Sequence, residues 1–292
     1  MNIEIQTHEP VDLDGLASAI LCKKIFEICG HKVFINFEKP SSEVEKLSKI
    51  YSISFNSCPK PDLYLVLDTN ALDFEKLSLK APVLLIDHHQ PKKLPKGVDS
   101  FIKSESTSTV EVLLDFFGKD VVFEFLDEKL ARICAAAIVF DSAFFYAAKN
   151  STFENLLFFL RKTSFEEVLK LLEKKYTEPE IKAIIAAFSR ISYKKIEDYV
   201  VAWTYVGSFE SSVLEKMRDL FDISLVFNKK AKRVQGRVAN RLIRQGFNLA
   251  KIFAKFGGGG HPGAAGVKTS DFDKILEAVL NRSNFSKIRK DF

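Results

Sequence analysis

Two short apolar runs that each end in an acid constrain the fold of this chain more than anything else in it. Ala81-Pro-Val-Leu-Leu-Ile86 leads into Asp87-His88-His89, and Leu63-Tyr-Leu-Val-Leu67 leads into Asp68. Continuous apolar runs of this length read as strands buried on both faces, as in a parallel sheet. Helical patterns lie between such runs. Leu16, Ile20, Leu21, Ile25 and Ile28 share one face of a helix expected from about Gly15 to Cys29, with Gly30 as its stop. Asn2–Gln6 and Lys32–Asn36 read as further strands, and Ser41–Ile50 as a short helix. Strand and helix in alternation, with acids at strand ends, predict an α/β fold built on a parallel sheet.

Further along, Ser108 with Glu111, Ser164 with Glu167 and Thr177 with Glu180 have the spacing of capping boxes, each opening a helix. Leu130–Ala148 reads as one long apolar helix with Asp141 inside it. From about Ile196 the pattern changes. Strands are expected at Tyr199–Val206, Ile223–Phe227 and Lys232–Val238, a helix at Ser208–Leu220, and helices around 239–256. The expected organisation is a first domain over 1–190, including a helical linker from about 150, and a smaller α/β domain over 196–292.

Composition sets the outer bounds. A chain of 292 residues, 47% of them hydrophobic, can bury two modest cores. The formal charge of +5 is mild and permits a phosphate-bearing substrate without demanding one. Cys22, Cys29, Cys58 and Cys134 show no C-x-x-C spacing, so reduced thiols and a cytoplasmic location are expected. Met1 leads straight into a strand, so no signal peptide is expected, and no apolar stretch reaches membrane-spanning length.

The chain has only five histidines, and four lie near acids or glycines. His8-x-x-x-Asp12-x-Asp14 follows the first strand, Asp68 and Asp87-His88-His89 end two others, and Asp141 interrupts an apolar helix. The first group alone reads equally well as a polar loop with Asp14 as a helix cap. Asp141 is harder to place without a partner, because a carboxylate among apolar residues is costly to bury unless paired or metal-bound. Mixed carboxylate and imidazole ligands suit Mn²⁺ or similar first-row dications better than thiolate-held zinc. Six such ligands are too many for one catalytic ion with an open position, and about right for two ions sharing a carboxylate.

These four groups, in this order, resemble the motifs of the DHH phosphoesterases. Gly257-Gly-Gly-Gly-His-Pro-Gly-Ala-Ala-Gly266 resembles the glycine-rich signature of the DHHA1 domain that follows in one subfamily. The likeness spans nearly the whole chain and is similar to nanoRNase/pAp phosphatases, cyclic-dinucleotide phosphodiesterases and the core of RecJ-type exonucleases. The resemblance implies a parallel-sheet DHH domain joined by the helical linker to a DHHA1 domain, with the active site in the cleft between them. It implies one Mn²⁺ held by His8, Asp12 and Asp68, and another by Asp14, Asp68, His88 and Asp141, with Mg²⁺ or Co²⁺ as alternatives. Asp87 would orient its neighbours, and His89 would face the scissile phosphate. The implied activity is hydrolysis of short oligonucleotides or cyclic or linear dinucleotides. The alternatives are a pAp-type phosphomonoesterase and a non-catalytic partner in a replication complex. A homodimer is also in keeping with the family.

Four consecutive glycines make poor helix or strand interior and let backbone N–H groups converge on an anion. The resemblance assigns Gly258, Gly259, Gly260 and His261 to substrate binding. Upstream, Lys229, Lys230, Lys232, Arg233, Arg237, Arg241 and Arg244 form a basic stretch. Arg237 matches the family's phosphate-binding arginine, with Arg241 as the other candidate. Lys92, Lys93 and Lys96 follow the histidine pair and would add attraction for a polyanion.

Overall fold

Strand β1 (Asn2–Gln6) is followed by α1 (Leu13–Ile28), β2 (Lys32–Ile35), α2 (Ser42–Ile50), β3 (Leu63–Leu67), α3 (Phe74–Ser78), β4 (Val83–Asp87) and β5 (Val98–Ile102). Helices α4 (Thr109–Phe117), α5 (Lys119–Phe125), α6 (Glu128–Asp141), α7 (Asn150–Leu160) and α8 (Phe165–Leu172) complete the first of two compact units, Met1–Lys174. The computed structural model describes residues 1–281 apart from 39, 41, 70, 71, 91, 92 and 174. Lys92 and Ser41 therefore lie outside the described residues.

The five strands of this unit pair in the order β2-β1-β3-β4-β5, all in parallel. Their period of two separates the side chains. Ile3, Ile5, Leu65 and Leu67 join the core formed with α1, α4 and α6, while Tyr64, Val66, Val83 and Leu85 pack with Phe74 and Leu77 of α3. The chain steps from β1 outward to β2, then returns past β1 to β3. The order reverses between β1 and β3, and open α/β sheets hold their ligands in the crevice at the carboxyl ends of such a pair.

One expectation fails here. Helix α6 ends at Asp141 rather than running to Ala148. Ala143, Phe144 and Phe145 follow with φ of 52°, 55° and 72°, a left-handed turn that side chains with a Cβ rarely adopt. The buried Ser142 hydroxyl accepts from Phe145 N at 3.2 Å, and Phe144 N donates to Val139 O at 2.9 Å, which holds the turn closed.

The second unit, Lys175–Phe292, contains α9 (Glu178–Phe188), β6 (Ser192–Ile196), β7 (Tyr199–Val206), α10 (Glu210–Arg218), β8 (Ile223–Asn228), β9 (Arg233–Val238), α11 (Asn240–Arg244), α12 (Leu249–Ala254), β10 (Gly259–His261), β11 (Ala264–Lys268) and α13 (Phe272–Leu280). Helix α9 thus packs with the second unit, against β7 and α10. The sheet order is β10-β11-β9-β8-β7-β6, antiparallel except for the β7–β8 pair. Val201, Leu225 and Val234 face α12 and α13, while Ala202 and Val226 face α9 and α10. No helix among the described residues is long and apolar enough to cross a membrane.

Candidate metal centre

Three loops at the carboxyl edge of the first sheet bring the acids and histidines together. After β1 the chain turns through His8 to Asp12, whose carboxylate caps α1 by accepting from Asp14 N and Gly15 N, each at 3.1 Å. The helix cap is therefore Asp12, not Asp14. Asp14 lies in the first turn of α1, fully buried, and reaches a different helix. Its Oδ2 accepts from Thr109 N at 2.6 Å and its Oδ1 from Val110 N at 3.2 Å, at the start of α4. Those N–H groups have no partner within their own helix, and the helix dipole favours an anion there.

Asp68 follows β3 with φ 57° and is 2% exposed. A non-glycine residue in this region stores roughly 1–3 kcal/mol of strain. The two oxygens of its carboxylate look in different directions. Oδ2 lies 3.4 Å from His8 Nε2, which is also 3.4 Å from Asp12 Oδ2. Oδ1 lies 3.3 Å from His88 Nε2, which is 3.2 Å from Asp141 Oδ2. Potential ligand atoms lie within 4.8 Å of one another in three overlapping groups: His8, Asp12 and Asp68; Asp14, His88 and Asp141; and Asp68, Asp87, His88 and His89.

Asp87 is fully buried, and its Oδ1 collects three donors: His88 N at 2.8 Å, His89 N at 3.2 Å and His89 Nδ1 at 2.7 Å. The carboxylate thereby fixes the loop and commits one face of the His89 ring, leaving Nε2 for other partners. His89 is partly exposed, and its Nδ1 stands 3.8 Å from Asp68 Oδ1.

Crowding shifts the acid–base balance of the cluster. Burial and the charges of Asp68, Asp141 and Asp12 push Asp14 well above the usual carboxylate range. Burial and the Asp68 charge push Asp141 up to about 7. Burial opposes ionisation of Asp68, yet the hydrogen bonds to His8 and His88 hold it near 2. Hydrogen bonds to Asp12 and Asp68 raise His8 to about 10. Burial works against charge on His88, but Asp68 and Asp141 outweigh it and its pKa rises to about 9. Four carboxyl groups thus converge on one edge, their mutual repulsion raising Asp14 and Asp141 while His8 and His88 favour ionised Asp68. Oxygen and imidazole donors in this number suit divalent cations, so the residues fit a metal centre.

Thr109 escapes a reading of the sequence by motif. Its hydroxyl donates to Asp68 Oδ1 at 3.1 Å and its N–H to Asp14, so one residue orients two carboxylates. Behind it, buried Glu111 closes a capping box with Ser108. It also accepts from Thr107 N at 2.8 Å and Asn155 Nδ2 at 3.1 Å. The Ser108/Glu111 spacing was the signal for the cap, but nothing in it pointed to the acids that the cap supports.

The family model for the N-terminal domain of the DHH family matches residues 2–138. Residues 2–138 thus carry a DHH-family N-terminal domain. Its matched segment carries His8, Asp12, Asp14, Asp68 and Asp87-His88-His89, and Asp141 lies just beyond it. An uncharacterized protein of Methanocaldococcus jannaschii is 24% identical over 94% of this chain and 90% of its own length. Among solved structures, an exopolyphosphatase-related protein from Bacteroides fragilis is similar, with a TM-score of 0.78 at 15% identity. That match covers 98% of this chain and 93% of the other. RecJ in complex with Mn²⁺ from Thermus thermophilus gives a TM-score of 0.53 at 13% identity, over 96% of this chain and 51% of RecJ. These likenesses are of fold.

In the second unit, the glycine run departs from expectation. Gly259–His261 form strand β10, paired with β11, rather than an open loop. Glycine is required for close packing: a Cβ on Gly258 would stand 2.6 Å from both Gly266 O and Val267 Cβ, and one on Gly260 2.3 Å from Ala264 O. His261 pairs with Ala264, which pairs with Arg237. His261 and Arg237 thus share a sheet face two strands apart, roughly 10 Å by strand spacing. Arg241 donates to Asp222 Oδ1 at 2.6 Å and Arg233 to Glu210 Oε1 at 2.6 Å. Arg237 is bonded to Gly236 O at 3.2 Å, and no described acid pairs with it. Burial and neighbouring Arg218 lower its hold on its proton.

Proposed function

We propose that this chain is a metal-dependent phosphodiesterase acting on short oligonucleotides or dinucleotides. The observation that carries the reading is Asp68. Its two oxygens face two separate sets of ligands at the point where the sheet order reverses, the arrangement a bridging carboxylate needs. His8, Asp12 and Asp68 would hold one Mn²⁺, and Asp14, Asp68, His88 and Asp141 the other. Divalent ions bound there acidify water and neutralise charge on a phosphoryl group. Asp87 holds His89 by its Nδ1–H, so that Nε2 meets a phosphoryl oxygen and stabilises charge developing on it. Arg237, with no described acid beside it, is the cation for a terminal phosphate, whereas Arg241 is neutralised by Asp222. Gly258, Gly259 and Gly260 bring the backbone close to the substrate, and His261 lies on the Arg237 face.

The test is hydrolysis of pApA, a cyclic dinucleotide and pAp with Mn²⁺, comparing the wild type with Asp68→Ala. The reading expects the wild type to cleave a phosphodiester and the variant to fall to background. Equal rates for the two proteins would end it. Cleavage of pAp alone would replace it with a phosphomonoesterase.

A further inference from the structure

Beside the metal centre, a cavity of about 390 Å³ opens at the carboxyl ends of β1, β2 and β3. Its wall includes Gln6, Asn36 and Glu38, together with His8 and Thr69, the neighbour of Asp68. This volume is at the small end of ligand-sized pockets.

The wall is built on a buried acid. Glu4, 3% exposed, points to the sheet face opposite Ile3 and Ile5. Its Oε1 accepts from Gln6 Nε2 at 2.7 Å and from Asn36 Nδ2 at 3.0 Å, and its Oε2 from Cys58 N at 2.6 Å. A carboxylate this deep is costly unless well bonded, and these donors satisfy it. They also fix both carboxamides. Each amide nitrogen is turned to Glu4, so the amide oxygens are left as acceptors. The exposed carboxylate of Glu38 adds more acceptors. Such a wall repels phosphate and suits an uncharged group rich in hydroxyl donors. No Phe, Tyr or Trp lines the cavity among the described residues, and the one ring there, the His8 imidazole, is engaged by Asp12 and Asp68, so the wall offers a base little stacking surface. Because the cavity shares His8 with the centre, a group attached to a phosphate held at the centre would have the cavity within reach. In a nucleotide that group is the sugar.

We propose that this cavity reads the ribose hydroxyls of the nucleoside attached to the scissile phosphate, and so makes ribonucleotides the preferred substrates. The proposal rests on the phosphodiesterase reading above. Each hydroxyl lost from the cavity lowers kcat/KM by roughly tenfold, the size of one net hydrogen bond.

The experiment compares kcat/KM for pApA and its 2′-deoxy counterpart with Mn²⁺, in the wild type, Asn36→Ala and Glu38→Ala. The wild type is expected to favour pApA by about tenfold or more. Both variants should bring the ratio toward one by lowering kcat/KM for pApA more than for the deoxy substrate. Glu38 is exposed, so its variant tests the cavity even if Asn36→Ala fails to fold. A second readout needs no metal: adenosine should shift the Gln6 and Asn36 side-chain amide resonances more than 2′-deoxyadenosine does. A wild-type ratio of one, unchanged ratios in the folded variants, or equal shifts would overturn the proposal while leaving the phosphodiesterase intact. Hydrolysis of neither substrate would remove both.

Discussion

At the carboxyl edge of the first unit's sheet the chemistry is carried by side chains, and at the glycine edge of the second unit's sheet by the room left where side chains are missing. The first edge gathers Asp12, Asp14, Asp68 and Asp141, whose charges repel one another and are held by His8, His88 and helix N–H groups. The second sets Gly258 and Gly260 so close to backbone that no Cβ fits, and leaves Arg237 without a described acid. On the proposed function, one edge would collect cations and the other would accept an anion. The difference predicts that substitutions at the first edge damage ligand binding more than folding, and that glycine substitutions at the second do the reverse.

Thr109→Val should show the first half of that contrast most strongly. It removes the hydroxyl that orients Asp68 while keeping the shape and the N–H to Asp14. Outer partners of this kind are worth about 10–100-fold in metal affinity or activity. Mn²⁺ affinity by calorimetry should fall in that range, with an unchanged melting curve. An unaltered affinity would mean that Thr109 does not position Asp68.

Gly258→Ala should show the second half. The new methyl meets Gly266 O and Val267 Cβ, and overpacking of this sort costs about 1–3 kcal/mol. Trp203, the single tryptophan, lies on β7 and reports this unit's unfolding by fluorescence. The denaturation midpoint should drop while Mn²⁺ uptake by the first unit stays as it was. A lost metal affinity with unchanged stability would reverse the comparison.

The smallest effect concerns pH. Burial disfavours ionised Glu210, but hydrogen bonds from Arg233 and Asn228 hold its carboxyl below the ordinary 4.5. A depressed folded value stabilises the protein above the unfolded pKa, and that contribution fades as the pH falls below 4.5 through the folded value. Glu210→Gln should therefore lower the Trp203-reported melting temperature at pH 7, with the gap to the wild type closing as the pH falls below the folded value. A gap independent of pH would contradict the assignment.

The strands ending in Asp68 and Asp87 were legible because parallel-sheet strands read as unbroken apolar runs and their acids stand just beyond. The caps at Ser108 and Thr177 were legible because the reciprocal bond needs only two residue types at one spacing. Asp141 as a helix end was not. The Ala and Phe residues after it are good helix company, and the left-handed turn is imposed by Ser142 and tertiary packing rather than by glycine. Strand β5, Val98–Ile102, escaped because its apolar content is thin at a sheet edge. The role of Glu4 was equally hidden, since a glutamate in a strand gives no sign that Asn36 and Cys58 will close over it.

The central claim is that the acid–imidazole edge of the first sheet holds divalent cations through a shared Asp68. A calorimetric Mn²⁺ titration of the full chain tests it most directly, set beside Asp68→Ala with its fold checked by circular dichroism. The account predicts two Mn²⁺ per wild-type chain and loss of both high-affinity sites in the folded variant. No binding by the wild type, or the same stoichiometry and affinity in Asp68→Ala, would contradict it.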